Sequence, residues 1–273
     1  MPEGDRFLTL SNKWPTRLGG IAIAFLLAFS PVAVEASRVT PMILEIKPTG
    51  RESVARIELT NDAERDIPYE VQMMRGEISP EGQLSLTSAD EQFIVFPPQA
   101  IVEARTQQVF RIQYVGDEAI DRSQVYYLSI KQIPVGFEEG QNQVQVVINY
   151  NVLINVLPDG VEPEAIVRSA TYVERPKDTG DVDADGNTVE GPIEKGILID
   201  LGNDGTRYFL AGRSSWSISG KTVAGEDFQK SYTGEEMSRL VGTGVVAPGK
   251  NRIFFVPTES PLVPDSLQIT VEP

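Results

Sequence analysis

The sequence contains neither cysteine nor histidine among its 273 residues. Without cysteine no disulfide can form, so hydrophobic cores must hold the fold, as they do in domains larger than small disulfide-stapled modules. Without histidine the chain lacks the commonest general base and metal ligand, and every Ser-His or Cys-His nucleophile pair is excluded. We therefore predict no catalytic residue, no metal site and no cofactor, with carboxylate-based catalysis as a remote alternative.

Basic residues are scarce as well. Lysine and arginine total 24 against 39 aspartates and glutamates, which gives a net charge of −15. Binding of nucleic acid depends on Lys and Arg displacing counterions from phosphates, so we expect no nucleic-acid partner. Apolar residues make up 41% of the chain, enough for real cores, and the length allows one large domain or two of about 100 to 150 residues.

The N-terminal region carries an apolar run, "GGIAIAFLLAFSPVAV", preceded by three basic residues. The run is interrupted by Pro31 and is shorter than the roughly 20 residues needed to span a bilayer. Val34 and Ala36 stand where a signal peptidase reads small residues. We predict that residues 1–36 are a cleaved secretory signal and that the mature chain does not insert into a membrane; a retained anchor is the alternative.

Between Pro41 and Leu157, apolar side chains recur at every second position in short segments separated by turn residues. The clearest segments are "SVARIELT", "YEVQMMR", "FIVF", "QQVFRIQY" and "VYYLSIKQIP". This period is that of half-buried strands, and no segment predicts a helix. About seven strands in this stretch predict an antiparallel sandwich of two sheets.

A second β region follows "PDGVEPE", residues 158–164, which we interpret as a linker without a core side chain. Strand patterns resume in "AIVRSATYV", "ILIDLGN", "RYFLAGRSSWSISG", "NRIFFV" and "SLQITVE". We predict an all-β protein with two β domains, 38–158 and 163–273, joined by a short hinge. The second domain carries an acidic insertion at about 174–195.

The acidic insertion contains "DVDADG", in which Asp181, Asp183 and Asp185 alternate before Gly186. This spacing opens a calcium loop, but Pro192 occupies the twelfth position, where a bidentate Glu is needed. Asp-Gly also favours a tight turn. We therefore predict a solvated hairpin tip and leave calcium binding open.

Two other features have simple structural interpretations. "GTGVVAPGKN" contains a glycine-rich string with a lysine, but Pro248 lies inside it and a strand follows, so we predict a β-turn and not a phosphate loop. Trp216, Tyr126 and Tyr127 could line a groove, although aromatic residues of a sandwich more often fill its core.

The stretch "NQVQVVINYNVLINVLP", residues 142–158, is the longest alternating segment. It is longer than the five or six residues of a usual strand, so part of it could stabilise another molecule. Its apolar positions are Val144, Val146, Ile148, Tyr150, Val152, Ile154 and Val156.

Together with "DRSQVYYLSIKQIP", residues 121–134, this strand resembles the periplasmic, PapD-like pilus chaperones of the chaperone–usher pathway. The residues that match their signature are Asp121, Arg122, Tyr127, Ile130, Ile133 and Pro134. Ser123 and Ser129 depart from it, since the family has Glu and Asn there. "ESVARIELTND" resembles the family's second strand. "LGNDGTRYFLAG" and "VVAPGKNRIFFVP" resemble the second domain of its archaic, Csu-like branch, so the likeness covers nearly all of the chain after Ala36.

The resemblance implies that both β domains are immunoglobulin-like sandwiches. It also implies a periplasmic protein that lends its long strand to a pilin subunit whose own sandwich lacks its last strand, and that delivers the subunit to an outer-membrane usher. Alignment on Pro158 places the donor side chains at Val144, Val146 and Ile148. Tyr150, Val152 and Ile154 would then remain in the chain's own core.

The family also anchors the subunit's C-terminal carboxylate with basic residues on the first and last strands. The corresponding positions here fall near Leu44 or Glu45 and near Leu153, none of which is basic. Lys47 and Lys131 are the nearest substitutes.

An exported two-domain adhesion or structural module without a client is the alternative function. In that case the alternating strand would be fully paired and buried in the free protein.

Overall fold

The computed structural model describes residues 37–134, 147–183 and 186–273. The predicted signal, residues 1–36, lies outside the described residues, as do Val144, Val146 and Asp185. From Arg38 to Val156 the described chain forms strands β1 to β10, which are Arg38–Thr40, Ile43–Ile46, Val54–Thr60, Ile67–Ile78, Leu84–Ser88, Phe93–Phe96, Gln99–Val102, Gln107–Tyr114, Gln124–Gln132 and Asn149–Val156.

These strands form two sheets. One has the order β1-β3-β8-β6, and the other has the order β2-β10-β9-β4-β5 with β7 also paired to β4. The alternating residues of the sequence point between the sheets, because strand side chains alternate between two faces. The predicted core residues on β3, β8 and β9 are buried together, namely Ile57, Leu59, Phe110, Ile112, Tyr114, Tyr126, Leu128 and Ile130.

The first strand of this sandwich changes sheet. It leaves β3 after Thr40 and continues as β2 from Ile43, where it pairs with β10 in parallel, Ile43 opposite Leu153. The prediction of a wholly antiparallel sandwich is therefore wrong at this pair. Alternation shows which side chains are buried but not the direction of the neighbouring strand.

In the described residues the second half forms strands β11 to β18, one α-helix and two short 3-10 helices, Ala211–Arg213 and Pro264–Ser266. The strands are Ala165–Val182, Thr188–Asn203, Phe209–Leu210, Ser215–Lys221, Asp227–Tyr232, Val245–Val246, Asn251–Pro257 and Gln268–Glu272. Their sheets have the orders β11-β12-β17, β13-β16 and β15-β14-β18. The helix α1, Gly234–Val241, contributes Met237 to a core around Trp216.

The predicted acidic insertion is the outer half of the β11–β12 hairpin. Pairing runs from Ala165 opposite Asn203 to Val182 opposite Thr188, so the segment continues the strands. At the tip Asp183 accepts a hydrogen bond from the backbone N–H of Asn187 at 2.9 Å, as expected for a tight turn. In the described part of the chain, no cluster of acidic residues is suited to hold a metal ion.

The glycine-rich stretch also forms a turn. Gly242 ends α1, and the backbone N–H of Lys250 donates to the carbonyl of Ala247 at 3.1 Å just before β17 begins. The helix thus precedes the glycines, whereas a phosphate loop needs a helix that begins after them.

Each sandwich contains a buried asparagine in an equivalent role. The Asn61 side chain donates to the carbonyl four residues on at 2.8 Å and to that of Val102 at 2.9 Å, and accepts from the amide two residues on. Asn203 makes the same set of bonds. Its side-chain amide donates to the carbonyl four residues on at 2.8 Å and to the carbonyl of Val246 at 3.1 Å, and its side-chain oxygen accepts from the amide two residues on. Asn61 and Asn203 thus make equivalent hydrogen bonds in two similar sandwiches, although no internal repeat is visible in the sequence.

A third apolar cluster joins the two sandwiches, and we name it the interface cluster. Its buried members are Val125, Tyr127, Leu153, Leu157, Val161, Tyr208, Leu210 and Val245. Val161 belongs to the predicted linker, so the interpretation that this segment offers no core side chain is wrong. Tyr126 and Trp216 fill the two sandwich cores, and Tyr127 fills the cluster between them.

Where the structure describes the chain, no helix combines the length and apolar character needed to cross a bilayer.

Candidate functional site

Strand β10 has two different faces. Val152 and Ile154 are fully buried in the first core and Tyr150 packs against it, which confirms their predicted place in the chain's own sandwich. On the opposite face, Asn149 and Asn151 are exposed. The strand therefore completes its own core from Tyr150 onward.

One edge of β10 is only partly covered. Strand β9 pairs with β10 from Asn149 to Val156, whereas β2 pairs with it only from Leu153 onward. The N–H of Leu153 donates to the carbonyl of Met42 at 3.0 Å, so the odd-numbered backbone groups face the β2 side. Asn149 and Asn151 must then point their N–H and C=O groups to the same side, because these directions alternate along a strand.

Among the described residues, no strand pairs with β10 on the β2 side before Leu153. We call this part of the strand, residues 147–152, the open edge. Unpaired strand edges are templates on which another chain can add a strand.

Of the three predicted donor side chains, Ile148 belongs to the open edge and to the described residues. Ile148 is half-buried and its N–H donates to the Gln132 side chain at 3.4 Å. Its neighbour Val147 is 39% exposed. Val144 and Val146 lie outside the described residues, so the donor role of all three side chains stays a prediction.

The two predicted anchor lysines lie far apart. Lys131 is exposed on β9 opposite Asn149, while Lys47 follows β2, whose last residue lies opposite Val156. At about 3.3 Å per residue, the positions of Lys131 and Lys47 are roughly 23 Å apart along the direction of β10. The Nζ of Lys47 is 2.5 Å from a carboxylate oxygen of Asp159. The two lysines therefore cannot hold one carboxylate together.

The positions that correspond to the family's anchor are already engaged within the chain. The Glu45 carboxylate accepts from the Arg207 guanidinium at 2.9 Å and from the Tyr208 hydroxyl at 2.7 Å. Burial, followed by the hydrogen bond with Glu45, raises the pKa of Tyr208. Leu153, the other position, is buried in the interface cluster.

Ser123 is a second contact between the sandwiches that the sequence interpretation missed. Its hydroxyl accepts the backbone N–H of Tyr208 at 2.7 Å, and its own N–H donates to the carbonyl of Thr206 at 2.9 Å. The sequence did mark this position as unusual, because Ser123 stands where the chaperone family has Glu.

Residues 39–162 match the family of pili and flagellar-assembly chaperones, PapD N-terminal domain. This part of the chain is therefore similar to the N-terminal domain of the PapD-like assembly chaperones. The match spans the whole first sandwich, including the open edge.

Several solved structures of fimbrial chaperones are similar to the chain at low sequence identity. The class 5 fimbriae chaperone CfaA is 12% identical, with a TM-score of 0.48 over 87% of this chain and 99% of that chain. A chain of the CsuC–CsuE chaperone–subunit complex of Acinetobacter baumannii is also 12% identical, with a TM-score of 0.44 over 81% and 90%. A chain of the Salmonella enterica complex of SafA pilin with the SafB chaperone is 16% identical, with a TM-score of 0.45 over 86% and 96%. No curated protein sequence matches the chain.

Proposed function

We propose that the protein is a periplasmic, non-enzymatic chaperone of the chaperone–usher pathway. It binds a pilin or fimbrial subunit, completes the subunit's sandwich with its own strand, and delivers the subunit to an outer-membrane usher. It needs no metal or cofactor for this role. The match of residues 39–162 to the PapD N-terminal domain is the starting point.

The observation that carries the proposal is the open edge of β10. Among the described residues, no strand pairs with the backbone groups of Asn149 and Asn151 on the β2 side, while the strand completes its own core from Tyr150 onward. A client strand can hydrogen-bond to such an edge while alternate side chains enter the client's core. Three donor side chains, each worth roughly 1.5 to 3 kcal/mol when fully buried, would contribute about 5 to 9 kcal/mol before ordering costs.

The alternative, a structural module without a client, calls for a strand that is fully paired in the free protein. The edge before Leu153 has no such partner in the part of β10 that the structure describes. That favours a strand available to another chain.

The test is a double substitution, Val146→Asp with Ile148→Asp, on the predicted donor face. Co-expression with a pilin-like subunit should yield an equimolar complex for the wild type. The double variant should leave the subunit uncaptured, because charges cannot enter its core without a large desolvation cost. Size-exclusion chromatography measures the complex, and circular dichroism verifies that the variant is folded.

Val147→Asp provides the matched control, since it places a charge on the opposite face of the same strand. This variant should still capture the subunit. Capture by the folded double variant would refute strand donation.

A further inference from the structure

Basic side chains converge on a cavity between the two sandwiches. The cavity has a volume of about 390 Å³ and is bounded by the second half of β4, the start of β9 and the turn before β17. Its charged lining residues are Arg75, Glu77, Asp121, Arg122, Lys250 and Arg252. The lining thus has a formal excess of positive charge in a chain whose net charge is −15.

Arg252 is the most enclosed of these cations. One terminal nitrogen donates to the carbonyl of Val245 at 3.0 Å, and the guanidinium lies 5.4 Å from the centre of the Phe254 ring. Its Nε is buried and has no hydrogen-bond partner among the residues that the structure describes. Burial lowers the pKa of Arg252, which reflects the cost of keeping the charge away from water.

Carboxylates of the described chain neutralise little of the positive charge around this cavity. Arg122 forms its ion pair with the adjacent Asp121 at 3.2 Å. In the described chain, Arg75, Lys250 and Arg252 form no ion pair with a carboxylate, although acidic residues are abundant. Arg75 instead lies 5.7 Å from the centre of the Tyr126 ring. A buried charge without a partner is costly, so an external anion at this position would be stabilising.

We propose that this cavity binds an oxyanion, either a carboxylate or a phosphate group, through Arg75, Lys250 and Arg252. Guanidinium groups donate to two oxygens of such groups at once, and lysine adds a compact charge. The site is separate from the open edge and uses neither Lys47 nor Lys131. It therefore does not depend on strand donation.

The test is calorimetric titration of the purified protein with inorganic phosphate and, separately, with acetate, at an ionic strength held constant with sodium chloride. Arg75→Gln combined with Lys250→Gln removes two exposed cations from the cavity and leaves the packed Arg252 in place. We expect this double variant to bind the preferred anion at least tenfold more weakly than the wild type. Arg51→Gln, which removes an exposed charge outside the cavity, should bind like the wild type.

The two titrations distinguish the source of the oxyanion. Preference for phosphate supports a free or lipid-borne phosphate ligand, and preference for acetate supports a carboxylate ligand. Equal binding by the wild type and the folded double variant, or binding of neither anion by the wild type, would overturn the proposal. Neither result bears on subunit capture, so this site and strand donation can fail separately.

Discussion

At the scale of single residues, the buried asparagines differ in how well they are bonded. Asn155 on β10 is fully buried, and both of its side-chain amide atoms lack a hydrogen-bond partner in the described structure. Asn203 is equally buried but uses both its amide nitrogen and its oxygen. An unpaired buried amide costs free energy, whereas a bonded one stabilises the fold.

Asn155→Leu should therefore raise the free energy of unfolding by about 1 kcal/mol, since an apolar side chain of similar size removes the desolvation cost. Asn203→Leu should lower it by roughly 2 to 4 kcal/mol, because several backbone groups lose their partner. Urea denaturation followed by tryptophan fluorescence measures both. Equal destabilisation by the two substitutions would mean that Asn155 is bonded after all.

Sequence patterns do not show the burial of Asn61 and Asn203 or their hydrogen-bond partners. The carbonyl that Asn61 binds on Val102 is 41 residues away, and the spacing between Asn203 and Val246 is 43. Local patterns contain no information about contacts at that distance. The alternating apolar residues are different, because their burial follows from the strand itself.

At the scale of elements, the open edge of β10 predicts a gradient of amide protection within one strand. The amides of Asn149 and Asn151 should exchange rapidly with deuterium in the free protein. Those of Leu153 and Leu157, bonded to Met42 at 3.0 Å and to Ile46 at 2.8 Å, should exchange slowly.

Addition of a subunit should slow exchange at Asn149 and Asn151 and leave Leu153 and Leu157 unchanged. Exchange measured by NMR on the free and complexed protein resolves the individual amides. Protection of Asn149 and Asn151 already in the free protein would contradict an available edge.

The helix α1 makes a separate prediction about pH. Thr233 and Glu236 form a capping box, and the hydrogen bonds from Thr233 lower the pKa of Glu236 from its ordinary value of 4.5. A carboxyl whose pKa is lowered by folding contributes stability above its unfolded pKa and loses it as pH falls through the folded value. Glu236→Ala should therefore lower the melting temperature at pH 7, and the difference from wild type should vanish in strong acid.

Glu226→Ala is the control, an exposed glutamate in the same sandwich whose substitution should leave the melting temperature unchanged at both pH values. Thr233→Ala should itself cost about 1 kcal/mol. An effect of Glu236→Ala that persists unchanged in acid would exclude a role for the ionised carboxylate.

The helix α1 could have been predicted from the sequence. Thr233, Glu236 and the terminal Gly242 form the pattern that marks the two ends of a short helix, and the surrounding strand periodicity concealed it. The change of sheet between Thr40 and Ile43 could not be read in the same way. Strands as short as β1 and β2 contain too few alternations to define a face or a partner.

At the scale of the whole molecule, residues 37–273 form one compact unit although they contain two separate cores. The interface cluster, the Glu45 contacts with Arg207 and Tyr208, and the tether from Ser123 connect the sandwiches. We expect wild-type thermal unfolding to be a single cooperative transition. If one sandwich unfolded alone, the apolar side chains of the interface cluster on the other sandwich would be exposed to water, which costs free energy.

Leu210→Asp tests that coupling, because the buried Leu210 belongs to the interface cluster and to neither sandwich core. An unpaired charge there should separate the sandwiches while leaving both cores intact. Differential scanning calorimetry should then show two transitions in place of one. Val223→Asp, at a position that is 67% exposed in the second sandwich, should keep the single transition. A single transition for Leu210→Asp would mean that the sandwiches stay coupled through Glu45 and Ser123 when the apolar cluster is disrupted.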